Sequence, residues 1–156
     1  MQTIRENYRI LTINGEKKFF YYRKSRIPKG KGKFREIYIP SEEYKALLCE
    51  YIPYLSDLLN KSDDVKLNHA FLNDRNCVTN AMMHIGYKYC LSFDIKNFFD
   101  NIKKHHLSWL VNEKILDILL INGSPRQGLP TSPILSNIAF IKIDKEIYKD
   151  ISVPYN

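Results

Sequence analysis

The chain has 156 residues, of which 44% are hydrophobic and 13% aromatic, so it can form a packed core and wholesale disorder is excluded. By length it is one domain or a lobe of a larger one. Its net charge of +7 favours a polyanionic partner, with nucleic acid first and an anionic membrane surface second. No apolar run approaches the roughly 20 residues of a membrane-spanning helix. The N-terminus carries no apolar secretion segment, so we expect a cytoplasmic protein without a membrane partner.

The number and spacing of the cysteines indicate whether they form disulfides, bind metal or remain free thiols. Cys49, Cys77 and Cys90 are odd in number and widely spaced, and they include no Cys-x-x-Cys pair. This pattern disfavours a disulfide framework or a zinc site. The sequence therefore predicts reduced, mostly buried thiols.

The first half of the chain predicts a hairpin followed by helices. Residues 18–23 and 34–39 are rich in aromatic and β-branched residues and flank the basic segment 27–33, which predicts a β-hairpin with a basic tip. Ser41 follows Pro40 and precedes two glutamates, a pattern typical of a helix N-cap. Apolar residues then recur at helical spacing, and Pro53 should kink or divide the helix. These apolar residues are Tyr44, Leu47, Leu48, Tyr51, Leu55, Leu58 and Leu59.

The second half predicts one strand among further helices. Residues 73–76 indicate a turn before a short helix that ends near Met83, and residues 87–93 are typical of a buried strand. Residues 107–121 have helical periodicity, with Trp109 on the apolar side, and Asn122 and Gly123 are expected to form the C-cap. Pro133 suits the first turn of a last helix that runs to about Tyr148.

One carboxylate, Asp94, stands at the exit of the predicted strand, with aromatic residues just beyond it. Carboxylate oxygens are the ligands that Mg²⁺ prefers, and two-metal phosphoryl transfer needs a few fixed aspartates. The alternative is an aspartate that caps whatever follows the strand. Asp100 is more simply interpreted as the cap of a helix near residue 103.

Two other segments are candidates for ligand binding. In residues 125–133, Gly128 allows close backbone approach next to Gln127, although a plain loop before a helix remains the alternative. Residues 17–35 contain nine basic residues and no acidic one, interleaved with aromatic residues. This composition suits phosphate contact and base stacking, whereas a solvated charge run is the alternative. The spacing of residues 29–33 excludes a phosphate-binding loop.

The basic hairpin, residues 91–100 and residues 125–133 resemble, in this order, the fingers hairpin and two palm blocks of reverse transcriptases. The resemblance implies an α+β fold in which a basic β-hairpin and helices surround an incomplete palm sheet. It places a fingers-like region at about 1–90 and a partial palm at 91–156. The Tyr-x-Asp-Asp block of such enzymes, with two more carboxylates, does not occur in the 156 residues, and the thumb is missing with it.

The resemblance implies roles for the residues around Asp94. This aspartate would be catalytic and would bind both metal ions, aided by the carbonyl of Ile95. Backbone amides around Asn97 and Phe98 would hold the triphosphate, but many reverse transcriptases carry an aspartate where this chain has Asn97. Phe99 would block a ribose 2′-hydroxyl and so select deoxynucleotides. For Phe98, ordinary core packing is the preferred interpretation.

The resemblance also implies roles for the hairpin and the second loop. Arg35 matches the arginine that clamps the triphosphate, and Lys33 and Lys31 would assist it. Lys29 and Lys31 would contact RNA. Gln127 would contact the sugar or base of the incoming nucleotide.

A short motif narrows the family to retrons. Asn80 and His84 stand in the pattern Asn-Ala-x-x-His, which is associated with retron reverse transcriptases. In retrons this region contacts a structured noncoding RNA, so both residues are candidates for RNA recognition or for a scaffold role. A structural histidine is the alternative for His84. His69, His105 and His106 show no pattern of metal ligands.

The implied activity is that of a retron-like RNA-directed DNA polymerase in antiviral defence. It would extend DNA on a noncoding RNA template with two Mg²⁺ ions, hold an RNA–DNA duplex and consume deoxynucleoside triphosphates. Because one carboxylate cannot hold two metals, we predict that this chain alone is inactive, as one half of a split enzyme, a truncated gene product or a shortened chain. A C-terminal palm/thumb polypeptide or an effector protein is a candidate partner. The alternatives are a non-catalytic RNA-binding module and an interaction subunit that pairs through an exposed palm edge.

Overall fold

The computed structural model describes residues 6–62 and 68–150, and its sheet is formed by the first part of the chain. Three antiparallel strands are arranged in the order β1-β2-β3. They are β1 (Glu6–Ile13), β2 (Glu16–Gly30) and β3 (Lys33–Pro40). The predicted hairpin of β2 and β3 is confirmed, whereas β1 was missed. Its signal was the pair Asn14 and Gly15, which adopt φ values of 52° and 84° and form the two-residue turn that such a pair favours.

Helices make up most of the rest of the described chain, which confirms the α+β class. They are α1 (Glu42–Glu50), α2 (Ile52–Ser62), α3 (Cys77–Met82), α4 (Phe98–Asn101), α5 (Glu113–Leu119) and α6 (Ser132–Asp150), with a 3₁₀ turn at Lys104–His106. None of the helices in residues 6–62 and 68–150 combines the length and the apolar character needed to cross a membrane.

The predicted division of the first helical segment is confirmed. Ser41 caps α1, because its Oγ accepts a hydrogen bond from the backbone N–H of Tyr44 at 3.3 Å. Helix α1 ends at Glu50 and α2 begins at Ile52. Pro53 lacks the N–H that would continue α1 but suits the first turn of α2, so the break falls just before it.

The core lies between the inner face of the sheet and the helices, and Tyr44 is at its centre. This side chain is fully buried, and its ring lies 5.6 Å from the ring of Phe20 on β2. Its hydroxyl donates to the carbonyl of Ile118 at 2.9 Å and accepts from Arg9 of β1. Burial raises the pKa of Tyr44, so the hydroxyl remains a donor at neutral pH. One side chain thus connects β1, β2, α1 and α5.

Residues 87–93 do not form the predicted buried strand. They adopt no regular structure, and Tyr89, Leu91 and Phe93 are 83%, 86% and 70% exposed. A strand requires a neighbour that accepts and donates its ladder hydrogen bonds. Among the described residues the only sheet is β1-β2-β3, and it does not extend to this segment. The prediction was wrong because sequence pattern indicates a tendency but cannot supply the pairing partner.

The predicted helix over 107–121 is also wrong in its first half. Helix α5 begins only after Asn112, whose side chain accepts from the backbone N–H of Lys114 at 2.9 Å. Such a side chain competes with the helical backbone and favours a cap over a helix interior. Asn122 and Gly123 form a tight turn between the bridged residues Ile121 and Ser124 rather than a helix C-cap.

The structure also tests the predictions for the cysteines and for the last helix. Cys49, Cys77 and Cys90 are free thiols, as predicted, but all three are exposed. The prediction of mostly buried thiols was wrong because each lies outside the core formed by the larger apolar side chains. The last helix is confirmed, since α6 begins one residue before Pro133 and continues past Tyr148.

The 3₁₀ turn predicts a pH effect on stability. The ring Nδ1 of His106 accepts from the backbone N–H of Lys103 at 3.0 Å, and burial, His105 and Lys103 lower the pKa of His106 below 6.5. Below about pH 6.5 the unfolded state therefore binds more protons than the folded state. The free energy of unfolding consequently decreases as the pH falls. In His106→Gln an acceptor that does not titrate replaces the ring. We expect its Tm to fall less than that of the wild type between pH 7.5 and pH 5, as measured by circular dichroism.

The control is His105→Gln, which removes the exposed neighbouring ring but keeps this hydrogen bond. Its Tm should show most of the wild-type decrease. An equal decrease in the wild type and His106→Gln would show that the His106 ring does not contribute to the pH dependence.

Candidate nucleotide and nucleic-acid site

The tip of the β2–β3 hairpin presents cations to solvent. Gly30, Lys31 and Gly32 all have positive φ, at 84°, 49° and 70°, so the two glycines supply conformations that other residues rarely adopt. Lys29, Lys31, Lys33 and Arg35 are all exposed. A flexible lysine or a planar arginine that is exposed in this way can contact phosphate. The geometry therefore suits an anionic ligand.

The base of the hairpin is joined directly to the loop that contains Gln127. The backbone N–H of Tyr38 on β3 donates to the carbonyl of Gln127 at 2.7 Å. Gly128 has a φ of +103°, and a Cβ atom there would lie 2.3 Å from the carbonyl oxygen of Tyr38. The close approach that the glycine was expected to allow is thus made by β3 of the same chain. Two of the predicted segments, the hairpin and the second loop, form one unit.

Charged groups surround the ring of Tyr38 at this junction. The Lys24 ammonium lies 4.9 Å and the Arg126 guanidinium 5.4 Å from the ring centre. Lys24 also pairs with Glu36 at 3.4 Å. A hydrogen bond with Tyr38 is the main cause that lowers the pKa of Glu36 and raises that of Lys24, while burial raises the pKa of Tyr38. Both charges therefore persist at neutral pH and hold the hairpin base in place.

Arg126 connects this junction to the segment that follows Asp94. Its guanidinium donates to the carboxylate of Asp100 at 2.5 Å and, through Nε, to the carbonyl of Ile121 at 2.9 Å. Asp100 lies within α4, so the expectation that it caps a helix near residue 103 was wrong. The reason is tertiary, because Arg126 is only 14% exposed at its side chain and needs a counter-charge.

Asp94 itself lies in an exposed segment. Both Asp94 and Ile95 are exposed, and Asn97 adopts a left-handed conformation with φ 51° just before α4. Phe98 is half-buried, with its ring 5.0 Å from Phe140 and 5.5 Å from Phe99, which fits the core interpretation for Phe98. The described ranges bring no three His, Cys, Asp or Glu side chains together as a metal site. The exposed Asp94 carboxylate could bind magnesium, but the described residues do not surround it with a complete set of ligating side chains.

The Asn-Ala-x-x-His motif lies beside the aromatic residues of α4 and α6. Asn80 is in α3 and lines a cleft of about 200 Å³ together with Phe98, Asn137 and Phe140. His84 is half-buried just after this helix. The motif therefore lies within the fold near the 94–100 segment. Neither Asn137 nor Phe140 was predicted, because a helix pattern alone does not show which residues line a cleft.

His69 was also not assigned to this region. Its Nδ1 lies 3.0 Å from the hydroxyl of Thr79 on α3. Burial and the charges of Arg75 and His84 lower the pKa of His69, so a neutral ring is favoured. No sequence signal links His69 to α3, since the contact depends on how the intervening chain folds back.

Comparisons with known proteins support one family. The model of the family described as reverse transcriptase (RNA-dependent DNA polymerase) matches residues 27–155. Among curated proteins, the Retron Ec86 reverse transcriptase of Escherichia coli is 29% identical over 74% of this chain and 38% of its own length. The Retron Mx162 reverse transcriptase of Myxococcus xanthus is 27% identical over 78% and 30%. The Retron Ec73 reverse transcriptase of Escherichia coli is 26% identical over 81% and 45%.

These alignments cover less than half of each of these relatives, because the chain spans 30–45% of their lengths. The match to the family model includes the hairpin tip, the Asp94 segment and the Gln127 loop, all of which fall within residues 27–155. The chain therefore belongs to the reverse transcriptase family, and retron reverse transcriptases are among its relatives.

Proposed function

We propose that this chain is the N-terminal, fingers and partial palm portion of an RNA-directed DNA polymerase that extends DNA on a structured noncoding RNA. The observation that carries the proposal is the hydrogen bond of 2.7 Å between Tyr38 and Gln127. It unites the basic hairpin and the second loop in a chain that matches the family over residues 27–155. Retron relatives support the choice of template class and of deoxynucleoside triphosphates as substrates. A role in antiviral defence is part of the proposal and rests on the resemblance to retrons alone.

The proposed nucleotide contacts follow from charge and position. Arg35 and Lys33 would hold the triphosphate, since both are exposed cations on β3. Gln127, half-buried at the hairpin base, would contact the sugar or base. Backbone amides around Asn97 and Phe98 would also hold the triphosphate, and Phe99 would exclude a ribose 2′-hydroxyl.

The metal proposal assigns Asp94, with the carbonyl of Ile95, as one part of a magnesium site. Bound magnesium would activate the primer hydroxyl and stabilise the leaving pyrophosphate. The described residues place no cluster of three potential metal ligands around the exposed Asp94, and like phosphate charges repel one another without further cations. We therefore propose that the chain alone does not polymerise.

The exposed segment 85–95 supports a partner that completes the palm. Ile85, Tyr87, Tyr89, Leu91 and Phe93 are each more than half exposed, and large exposed apolar patches mark interaction sites. An extended apolar segment can pair with a strand from a second polypeptide by main-chain hydrogen bonds. A C-terminal palm/thumb polypeptide carrying the remaining carboxylates would bury these side chains and supply the missing ligands.

Primer extension tests this function directly. The chain would be incubated with magnesium, deoxynucleotides and a primed structured RNA, alone and with a C-terminal palm/thumb polypeptide. We expect extension products only in the mixture. Products from the chain alone would contradict its proposed inactivity.

A second function is favoured by the exposed cations of the hairpin, namely a non-catalytic RNA-binding module. The same experiment separates the two functions if RNA binding is measured in parallel. A silent mixture in which the chain still binds RNA would favour the module. Extension in the mixture would favour the polymerase.

A further inference from the structure

The outer face of the sheet, opposite the helices, carries an exposed aromatic surface. Because side chains alternate along a strand, Phe20 and Tyr22 of β2 enter the core while Phe19 and Tyr21 point away from it. The strand register places Tyr8 opposite Tyr21 and Ile10 opposite Phe19. We call these four residues, Tyr8, Ile10, Phe19 and Tyr21, the outer aromatic patch.

The rings of the outer aromatic patch form a continuous surface. The ring of Tyr8 lies 6.0 Å from that of Phe19 and 6.4 Å from that of Tyr21. The three rings are 61%, 56% and 44% exposed, in the order Tyr8, Phe19 and Tyr21. Burial of such rings would be favourable, so a surface of this kind marks a binding site more often than an ordinary solvent face does.

Cations stand at both ends of the patch. Lys17 and Arg23 lie on β2 two residues before Phe19 and two residues after Tyr21, so they share the outer face, and both are exposed. Positive charge beside aromatic rings complements a ligand that has both phosphates and flat bases.

We infer that the outer aromatic patch binds single-stranded RNA, with bases stacked on Tyr8, Phe19 and Tyr21 and phosphates paired with Lys17 and Arg23. Unpaired bases expose both faces for stacking, whereas bases within a duplex are already covered. The inference deepens the proposed function and rests on it for the choice of RNA. It adds an RNA contact on the sheet face that the helices leave open. The residues of this contact are different from those proposed to hold the nucleotide.

Fluorescence anisotropy with a labelled 12-nucleotide oligouridylate and a 12-base-pair RNA duplex tests the inference on the full chain. The variant Tyr8→Thr/Phe19→Thr/Tyr21→Thr removes the rings but retains residues with high β propensity. We expect at least a 10-fold loss of affinity for the single strand and a change of less than about 2-fold for the duplex. The salt dependence should stay unchanged, because no cation is removed.

Two control variants separate stacking from charge and from general surface effects. Tyr54→Ala removes an exposed ring on α2 and should leave both affinities unchanged. Arg23→Gln keeps the rings, and it should lower the slope of log K against log salt by about 1. Circular dichroism would confirm that the triple variant is folded, and Phe19→Thr alone provides a milder substitution.

Several outcomes would overturn the inference. One is that the wild type and the folded aromatic variants bind the single strand with equal affinity. A second is that the variants lose as much affinity for the duplex as for the single strand. A third is that the wild type does not bind the single strand. A dimeric wild type that becomes monomeric in the triple variant, with RNA affinity unchanged, would instead identify a protein interface. Primer extension is measured separately. If the chain shows no polymerase activity but its RNA binding still depends on the patch, only the proposed function is overturned.

Discussion

Asp94→Asn should abolish primer extension by the complemented enzyme. The substitution keeps the size of the side chain but removes the negative charge with which this residue would bind magnesium. Metal ions contribute several kcal/mol of transition-state stabilisation, and each 1.36 kcal/mol is tenfold in rate. We therefore expect a loss of roughly 10³-fold in the rate of nucleotide addition, measured in the mixture of the chain with a palm/thumb polypeptide.

Stability and RNA binding should not change in this variant, because Asp94 is exposed. Asp57→Asn is the matched control, since it removes an exposed carboxylate whose partner, Lys61, lies one turn away on α2. Surface pairs of this kind contribute little, so its extension rate should equal that of the wild type. Full activity of Asp94→Asn would remove this residue from the proposed metal site.

Gly128→Ala should strongly destabilise the fold. The added Cβ would lie 2.3 Å from the carbonyl oxygen of Tyr38, and the residue has a φ of +103°. Backbone strain and overpacking each cost roughly 1–3 kcal/mol, so we expect the free energy of unfolding to fall by about 3–5 kcal/mol. Urea denaturation followed by circular dichroism measures this change.

Gly123→Ala is the matched control, because it tests the cost of a positive φ at a position where an added Cβ would not overlap another atom. Gly123 has a φ of +72°, and no described atom lies within 4 Å of the place of its Cβ. Its cost should be about 1 kcal/mol from strain alone. If both variants lost the same stability, the contact between Gly128 and β3 would not be what requires the glycine.

Local signals in the sequence predicted the elements whose stability is local. Ser41 and Pro53 set the start and the break of the first helices, and Pro133 set the start of the last one, because caps and prolines act within one turn. The turn at Asn14 and Gly15 belongs to the same class. Strand β1 could therefore have been predicted from it.

The errors concern segments whose structure depends on distant partners. Residues 87–93 have the composition of a strand but remain unpaired among the described residues. Asp100 has the sequence context of a cap, yet Arg126, distant in sequence, binds it at 2.5 Å. Neither the absence of a pairing partner nor the presence of a counter-charge can be read from nearby residues.

For this protein the sequence alone determined the family resemblance, the basic hairpin and the candidates Asp94, Arg35 and Gln127. Each depends on residue type and order, which are present before folding. Only the tertiary structure decided that Gly128 packs against Tyr38, that Phe20 is buried while Phe19 is exposed, and that the sheet of the described residues does not reach Asp94. These features arise when segments far apart in the chain come into contact, and the free energy of such contacts depends on both partners.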